Sequence, residues 1–246
     1  MKIVKPDYLT QNDWELLTKK YKNMHRVLKK LNKNYPVQYL IGDVSFYGYK
    51  IIVNKNVLIP RFETETLVEK TINYIKKYNL TEGNVLDIGT GSGCIPIVLK
   101  SNLNNLKITA IDKSNKALKI AKKNLKKNNV QIALIKQDIF KYNPLNKYDV
   151  LISNPPYIDK DEIIDERCKY EPKMALYAKN KGLSFYEYII SSANKYLNKR
   201  SILAFEIGYK QGSYLKKYAK TYFPQAKITI EKDLSGKDRY LFIINE

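Results

Sequence analysis

The stretch NVLDIGTGSGC, residues 84–94, joins a short apolar run to a loop that contains three glycines. Gly89, Gly91 and Gly93 can adopt backbone angles that other residues avoid, and without a Cβ they let a ligand approach the main chain. The run before them predicts a strand, and CIPIVLKSN after the loop predicts a helix. The stretch therefore predicts a ligand-binding loop between a strand and a helix N-terminus, with a tight turn that binds nothing as the alternative.

Strand and helix patterns continue to alternate from this stretch to the C-terminus. Strands are predicted at 84–89, 107–112, 131–137, 148–153, 201–208, 227–232 and 239–244, and helices at 94–102, 115–129, 183–197 and 212–222. Such alternation indicates right-handed crossovers and a mostly parallel sheet with helices on both faces. The last two strands, joined by DLSGKD, are predicted to pair antiparallel at the sheet edge. The predicted fold class is α/β, with a mostly parallel seven-stranded sheet and an antiparallel edge strand.

The chain before residue 84 has a different organisation. Apolar residues at near-helical spacing predict one or two short helices between about 7 and 34, and a further helix at 65–80. Between them, residues 44–60 contain two apolar-rich runs that predict a hairpin or an extended connector. We therefore divide the chain into a helical N-terminal region (1–35), a hairpin connector (36–62) and an α/β domain (63–246).

The composition limits the kind of protein. Of 246 residues, 44% are hydrophobic, which suits a packed core rather than a disordered chain. No leader pattern and no apolar run of about 18 residues is visible, so a cytoplasmic protein is expected. Two cysteines, Cys94 and Cys168, do not make a disulfide framework. The single histidine, His25, is expected on a helix surface, and no metal cofactor is predicted.

The chain is strongly basic, with 44 basic and 24 acidic residues and a net charge of +20. Such a charge suits an anionic partner, nucleic acid among them. Only five of the basic residues are arginines, however, and the planar guanidinium of arginine is the group preferred for recognition of phosphates and bases. As explanations of the positive charge, codon bias and solubility are therefore favoured over a dedicated nucleic-acid surface.

Acidic residues follow the predicted strands beside the glycine loop. Asp87 precedes Gly89, where an acid suits an amine-bearing ligand better than a pyrophosphate. Asp112 ends the second strand, placed to bind a ribose diol, and Asp138 ends the third, with Ile139 beside it to pack on a purine. Each acid alone could be a helix cap or a turn residue. Together they predict a nucleoside pocket that fits S-adenosylmethionine (SAM), with S-adenosylhomocysteine as the product.

The run YDVLIS ends in the tetrad Asn154, Pro155, Pro156 and Tyr157. The prolines restrict the backbone, so the Asn154 side-chain oxygen and a main-chain carbonyl are expected to face one point beside the Tyr157 ring. Two acceptors and an aromatic plane suit a planar NH2 group, either a carboxamide or an exocyclic base amine. Held in plane, the nitrogen presents its free face to a methyl donor, a positioning effect worth up to roughly 7–11 kcal/mol. The tetrad therefore predicts nitrogen methylation, with a simple proline-rich turn as the alternative.

These motifs resemble a known family. DIGTGSG together with NPPY is similar to the class I SAM-dependent N-methyltransferases, which have a Rossmann-like fold. Four flanking segments, 36–69, 170–186, 205–212 and 232–243, resemble the bacterial-type peptide chain release factor glutamine methyltransferases. The likeness runs from about Pro36 to the C-terminus.

The resemblance implies methylation of the side-chain amide nitrogen (N5) of the glutamine in a release factor's Gly-Gly-Gln motif, which modulates translation termination. The implied SAM contacts are Gly89, Thr90, Gly91, Ser92, Gly93, Asp112, Asp138, Ile139 and Asn154. The implied glutamine site, which is also the catalytic site, is Asn154, Pro155, Pro156 and Tyr157. Region 1–35 would help to dock the release factor, in an enzyme expected to be a monomer that needs neither nucleic acid nor a membrane.

Three further positions carry over without a chemical role: the connector arginine, Arg61, and the downstream pair Glu171 and Pro172. Phe62 departs from the family, whose connector usually reads PRPETE with a second proline at this place. The helical region before Pro36 is also short.

Two other functions are compatible with parts of the sequence. An adenine-N6 or guanine-N2 nucleic-acid methyltransferase would share the tetrad and suit the charge, but no separate basic or aromatic target-recognition segment is visible. A binding protein that keeps the fold without the chemistry would be expected to lose the glycine loop or the tetrad, and both are intact. A protein glutamine methyltransferase is the leading hypothesis because it alone explains the flanking segments.

Overall fold

A computed structural model describes residues 4–246, in which a seven-stranded sheet is flanked by helices on both faces. The strands are β1 (Asp43–Phe46), β2 (Tyr49–Ile52), β3 (Asn84–Ile88), β4 (Lys107–Asp112), β5 (Ala133–Lys136), β6 (Tyr148–Ser153), β7 (Leu197–Glu206), β8 (Lys227–Lys232) and β9 (Asp238–Asn245). The α-helices are α1 (Gln11–Lys20), α2 (Met24–Leu31), α3 (Val37–Ile41), α4 (Phe62–Lys77), α5 (Cys94–Asn102), α6 (Asn115–Lys127), α7 (Lys173–Leu176), α8 (Ser184–Ser192) and α9 (Gly212–Tyr222).

The large sheet has the strand order β5-β4-β3-β6-β7-β9-β8. β9 runs antiparallel to both of its neighbours, and the other pairs are parallel. The predicted α/β class and mostly parallel sheet with an antiparallel pair at its edge are confirmed, with β8 outermost and β9 second. The chain moves outward from β3 to β5 and returns to β6 on the other side of β3. The carboxyl ends of β3 and β6 therefore form the switch point at which such sheets bind ligands.

The central strands are apolar throughout because both of their faces are covered. Along β6, Val150 and Ile152 pack with the cluster that includes α4, α5 and α6, whereas Leu151 packs with the cluster that includes α8 and α9. All three residues have no exposed surface. This alternation assigns each β6 side chain to one face of the sheet, and parallel pairing with β3 and β7 places Ser153 and Asn154 at the carboxyl edge.

The described part of region 1–35 forms α1 and α2, which share a small apolar core with α3 of the connector. The predicted short helices are thus present, and residues 1–3 of that region lie outside the described residues. The helix pair contacts the α/β domain through the 3-10 turn Glu166–Tyr170. Asn34 Nδ2 donates to Glu166 (2.7 Å), and Tyr170 OH donates to the Lys33 carbonyl (2.5 Å).

The connector contains the predicted hairpin, formed by β1 and β2. Its turn residues Tyr47 and Gly48 have φ of 50° and 80°, the positive angles that a tight two-residue turn requires. The sequence did not predict α3, which begins directly after Pro36 and is too short to show a helical period. The helix predicted at 65–80 corresponds to α4, which begins earlier than predicted, at Phe62.

Several predicted boundaries were wrong, among them those of one strand and one helix. The strand predicted at 131–137 is shorter than expected, because β5 covers only Ala133–Lys136. Asp138, which was expected to end this strand, lies beyond its last residue. The Asp138 side chain accepts a hydrogen bond from Phe140 N (3.2 Å), and such local bonds compete with a strand. The helix predicted at 183–197 ends at Ser192 and is followed by a 3-10 turn, because β7 already begins at Leu197.

Residues 4–246 lack two other features, a membrane-spanning helix and a cluster of metal-ligating side chains. None of the helices there is long and apolar enough to cross a membrane. Nor do three or more His, Cys, Asp or Glu side chains in that range come together as a metal site would require. His25 is exposed on α2, as expected.

Candidate active site

A cleft opens at the carboxyl ends of β3, β4, β5 and β6. Its empty volume, counted with the part open to solvent, is about 840 Å3. The predicted residues that line it are Gly89, Gly91, Asp112, Asp138, Ile139, Asn154 and Pro156. The fold thus brings the glycine loop, two of the strand-end acids and the tetrad to one cavity, although they are distant in sequence.

The glycine loop turns sharply between β3 and α5. Gly89, Gly91 and Gly93 have φ of 73°, 55° and 80°, in the left-handed region that L side chains avoid. Gly89 N and Thr90 N both donate to the Ile111 carbonyl (2.9 and 3.0 Å), which ties the loop to β4. A Cβ at Gly93 would lie 3.2 Å from the Cβ of Ala121, so this glycine also lets α6 pack closely.

Other loop residues face away from the cleft. Thr90 and Ser92 are buried, at 3% exposure each, and neither lines the cavity. The Ser92 carbonyl accepts a hydrogen bond from Asn124 Nδ2 (2.8 Å), and the same side chain exchanges hydrogen bonds with the backbone of Ile52 (2.7 and 3.0 Å). Asn124 thereby joins the connector hairpin to the glycine loop. Burial raises the pKa of Cys94 to about 12, so its thiol stays protonated and acts in packing.

Asp112 both organises the loop and lines the cleft. Its Oδ2 accepts from Gly91 N (2.9 Å), and its Oδ1 accepts from Ser114 N (2.7 Å). Burial raises the pKa of Asp112, while the two backbone donors oppose that rise. Each carboxylate oxygen keeps a further lone pair, so the side chain can also accept hydrogen bonds from a ligand.

Asp87 lies directly behind the glycine loop, at the end of β3. Its side chain is fully buried, and neither carboxylate oxygen has a hydrogen-bond partner among residues 4–246. Burial raises the pKa of Asp87 to about 7. An unpaired carboxylate in the protein interior is costly and would be stabilised by a cationic ligand group.

The opposite wall of the cleft combines apolar and charged groups. Ile139 is buried, and Phe140, which the sequence analysis missed, lines the cavity while 40% exposed. Asp138 forms an ion pair with Lys113 (2.8 Å). Burial alone would raise the pKa of Asp138, but the hydrogen bonds from Lys113 and Phe140 N lower it below its usual value. An aromatic base could pack on the apolar side chains here, with a carboxylate beside it.

The members of the tetrad have different environments. Asn154 and Pro156 line the cleft, whereas Pro155 is buried and does not. Tyr157 does not line it either, because its hydroxyl points into the protein and donates to Glu206 Oε1 (3.3 Å). The Tyr157 carbonyl accepts from Gln211 Nε2 (3.1 Å), so both ends of this residue are held.

Two functional neighbours of the tetrad escaped the sequence analysis. Asn154 Nδ2 donates to Thr64 Oγ1 (3.0 Å), and Thr64 Oγ1 donates to Glu206 Oε2 (2.7 Å). Thr64 is near the start of α4, and Glu206 ends β7. A signal for Glu206 was present, because it is another acid at the carboxyl end of a strand; Thr64 had none.

Arg61 and Glu171, which carried no role in the sequence, form an ion pair in which Glu171 is buried and the Arg61 side chain is 35% exposed. Glu171 also accepts from Ile59 N (2.9 Å) through its second oxygen. Burial alone would lower the pKa of Arg61, but the Glu171 carboxylate raises it above its usual value. The pair fastens the connector to the segment whose next residues, Pro172, Met174 and Ala175, line the cleft.

Comparisons with known proteins place this geometry in context. Residues 64–169 match the family model of the methyltransferase small domain. A release factor glutamine methyltransferase of Enterococcus faecalis is 39% identical over 238 residues, covering 96% of this chain and 85% of the relative. The crystal structure of a release-factor-specific protein-(glutamine-N5) methyltransferase from Alicyclobacillus acidocaldarius has a TM-score of 0.52 at 26% identity, covering 79% of this chain and 98% of that one.

A nucleic-acid enzyme shares the fold as well. The structure of a 16S ribosomal RNA N2 methyltransferase from T. thermophilus, in complex with AdoMet and guanosine, has a TM-score of 0.59 at 13% identity. It covers 83% of this chain and 50% of that one, and at this identity the likeness is one of fold alone.

The sheet, the glycine loop and the cleft at the switch point define a methyltransferase with a class I fold. Within that class, the extent and identity of the match decide the family. The chain belongs to the release factor glutamine methyltransferase family, as the resemblance predicted.

Proposed function

We propose that this protein transfers a methyl group from SAM to the side-chain amide nitrogen of the glutamine in the Gly-Gly-Gln motif of peptide chain release factors. The observation that carries the proposal is the position of Asn154. Its side chain lines the same cleft as the glycine loop and Asp112, and its amide nitrogen is already bonded to Thr64. The Asn154 oxygen is thus free to accept a hydrogen bond from a substrate NH2 group.

The residues of the cleft fit SAM, which supplies an electrophilic methyl group when bound. Asp87 does not line the cleft, but directly behind the glycine loop it offers a buried carboxylate without a hydrogen-bond partner among residues 4–246, which would favour a cationic amine nearby. Asp112 would accept from ribose hydroxyls, and Ile139 and Phe140 would pack against adenine beside Asp138. Gly89 leaves open space, since a Cβ there would have no atom within 4 Å. Thr90, Ser92 and Gly93 would support the loop from behind rather than touch the cofactor.

On the substrate side, the tetrad would hold the glutamine amide in plane. Asn154 would accept one N–H, and the Pro155–Pro156 backbone, restricted by two rings, would present a carbonyl to the other. The nitrogen's free face would then point across the cleft toward the glycine loop. Acceptors held in this way both position the nitrogen and stabilise the positive charge that grows on it during transfer. Tyr157, anchored at Glu206 and Gln211, would fix the end of the tetrad.

The release factor would dock at the mouth of the cleft. The 3-10 turn Glu166–Tyr170 connects this mouth with α1 and α2, which supports a docking role for the described part of region 1–35. Phe62, at the start of α4, is 59% exposed and Met174 is 52% exposed, as apolar contact residues of a protein substrate would be. We further propose that the enzyme acts as a cytoplasmic monomer and needs no nucleic acid.

A labelling experiment tests the proposal. SAM with a labelled methyl group is incubated with the purified enzyme and a bacterial-type release factor, either wild type or with the motif glutamine changed to alanine. Ribosomal RNA and DNA are assayed in parallel. We expect label on the wild-type factor and none on the alanine form. Label on nucleic acid alone would contradict the proposal and show that the tetrad binds a base amine.

A further inference from the structure

Asn154 is the end of a chain of three hydrogen-bonded side chains that leads into the protein interior. Its Nδ2 lies 3.0 Å from Thr64 Oγ1, which lies 2.7 Å from Glu206 Oε2. Thr64 is 3% exposed and Glu206 is 1% exposed, and neither lines the cleft. Thr64 can therefore act on the substrate only through Asn154, and Glu206 only through its hydrogen-bonded partners in the tetrad and Thr64.

The direction of these hydrogen bonds follows from the charge of Glu206. An ionised carboxylate can only accept, so the Thr64 hydroxyl must donate its single proton to it. Thr64 Oγ1 is then left as an acceptor, and it can bind only the NH2 end of the Asn154 amide. The carbonyl end of Asn154 must accordingly face the cleft. If Glu206 were protonated, it could donate to Thr64, and the hydroxyl could then bind Asn154 in the reverse orientation.

We infer that Thr64 and Glu206 are positioning residues that fix the orientation of the Asn154 amide, so that the enzyme presents an acceptor, and not a donor, to the nitrogen it methylates. This inference rests on the proposed function for its catalytic consequence. An Asn154 turned the other way would place its own NH2 against the substrate NH2, two donors that repel. The second Glu206 oxygen accepts from Tyr157 OH (3.3 Å), so one carboxylate holds both ends of the tetrad.

The groups around Glu206 make its charge sensitive to pH. Thr64 and Tyr157 donate to its carboxylate, Arg239 is the nearby cation, and Glu63 is a nearby acid. Tyr186 from α8 donates to the Glu206 backbone carbonyl (2.7 Å). Burial raises the pKa of Glu206 to about 7, against the lowering effects of Thr64, Arg239 and Tyr157. The hydrogen-bonded chain that orients Asn154 is thus complete above neutral pH, where Glu206 is ionised, and is weakened below it.

Substitutions at Thr64 test the inference with a matched control on the same helix. Thr64→Val removes the hydroxyl at almost constant volume, and Thr64→Ser restores it. Thr71 lies two turns further along α4, is also fully buried, and donates only to the Leu67 carbonyl of its own helix (2.7 Å). Thr71→Val therefore reports the effect of removing a buried threonine hydroxyl from α4 without touching Asn154.

With the release factor as substrate and SAM saturating, we expect Thr64→Val to lower kcat about 10–100-fold, the size of effect typical of supporting residues around a functional group. Thr64→Ser should recover most of this loss, and Thr71→Val should keep a normal kcat. Glu206→Gln should lower kcat as well, while raising Tm at pH 8 because a buried charge is removed. A normal kcat in Thr64→Val, or an equal loss in Thr71→Val, would overturn the inference.

A second measurement does not depend on the substrate. In the ligand-free, 15N-labelled enzyme, the side-chain NH2 signals of Asn154 should shift with pH around 7, since they follow the protonation of Glu206 through Thr64. The shift should vanish in Thr64→Val and persist in Thr71→Val. Failure of the wild type to methylate the release factor would refute the proposed function alone. Asn154 signals that do not change with pH, or that titrate equally in Thr64→Val, would refute the inference that Thr64 and Glu206 orient Asn154.

Discussion

The Cα of Gly182 lies so close to the backbone of Tyr157 that an added Cβ would be 2.0 Å from the Tyr157 carbonyl oxygen. Gly182 has φ of 80°, and Gln211 Nε2 would lie 2.7 Å from the same added atom. A residue between α7 and α8 thus sets the space available to the last member of the tetrad. Because the Tyr157 oxygen belongs to the backbone, a change of side-chain rotamer cannot relieve this clash.

Gly182→Ala is therefore expected to displace the tetrad and lower kcat by at least about tenfold, since misplacement by about 1 Å can reduce catalysis far more than that. Gly236→Ala is the matched control, because Gly236 has φ of 75° but nothing within 4 Å of an added Cβ. Both variants carry the same backbone strain, so their difference in methyl transfer measures the clash. Equal activity of the two variants would show that the tetrad tolerates the displacement.

Asn154→Ala should retain the fold and much of the SAM affinity but lose methyl transfer. The expected loss in kcat corresponds to about 2.7–4 kcal/mol, by analogy with removal of one positioned group from an active site. Steady-state kinetics with the release factor, together with calorimetric titration of SAM, separate the two effects. Turnover near that of the wild type would refute the positioning role of Asn154.

Asp112→Ala should weaken SAM binding, because the side chain serves both the loop and the cofactor. Hydrogen bonds to a charged group contribute about 1.5–3 kcal/mol, so a rise in Kd of roughly 10–100-fold is expected. Asp112→Asn is a useful companion, since its remaining oxygen can still accept from Gly91 N or Ser114 N and its loss should be smaller. An unchanged dissociation constant in Asp112→Ala would contradict the assignment.

Asp87→Asn should stabilise the ligand-free protein while weakening SAM binding. The folded protein raises the pKa of Asp87 from 3.8 to about 7, so its ionised form disfavours folding. Stability is therefore lost as pH rises from about 4 to 7, by at most about 4 kcal/mol, and the substitution removes this loss. The difference in Tm between variant and wild type should be positive at pH 8 and shrink toward pH 4. A variant that is less stable at pH 8 would contradict the unpaired state of this carboxylate.

Glu171→Ala should destabilise the protein more than an equivalent change at an exposed ion pair. It leaves the partly exposed Arg61 without its partner and the buried Ile59 N without an acceptor, and the unsatisfied donor alone costs about 1–3 kcal/mol. Arg167→Ala, which breaks the exposed pair with Asp165 but leaves the Asp165 cap of the 3-10 turn in place, is the control and should leave Tm nearly unchanged. Denaturant unfolding measures both. Equal effects would mean that the connector does not depend on Arg61 and Glu171.

Much of the site could be read from the sequence because its signals are contiguous. The glycine loop, the acid at the end of β4 and the tetrad each stand directly after a recognisable strand, and parallel strands end at a common edge. That rule predicts that Asp112 and Asn154 share one cleft, and both line it. For Asp138 the predicted strand end was wrong, since β5 ends before it and its side chain accepts a local hydrogen bond from Phe140 N.

The sequence by itself determined the fold class, the family and part of the cleft lining, because period, loop chemistry and motif order are properties of short segments. Tertiary structure alone decided what holds those residues. Thr64 and Glu206 are 142 positions apart, and Arg61 and Glu171 are 110 apart. No local pattern indicates such partners, since a buried hydrogen bond or ion pair arises only after packing has removed water from both groups. The orientation of Asn154, on which the proposed chemistry depends, is therefore set by residues that its own segment of sequence does not indicate.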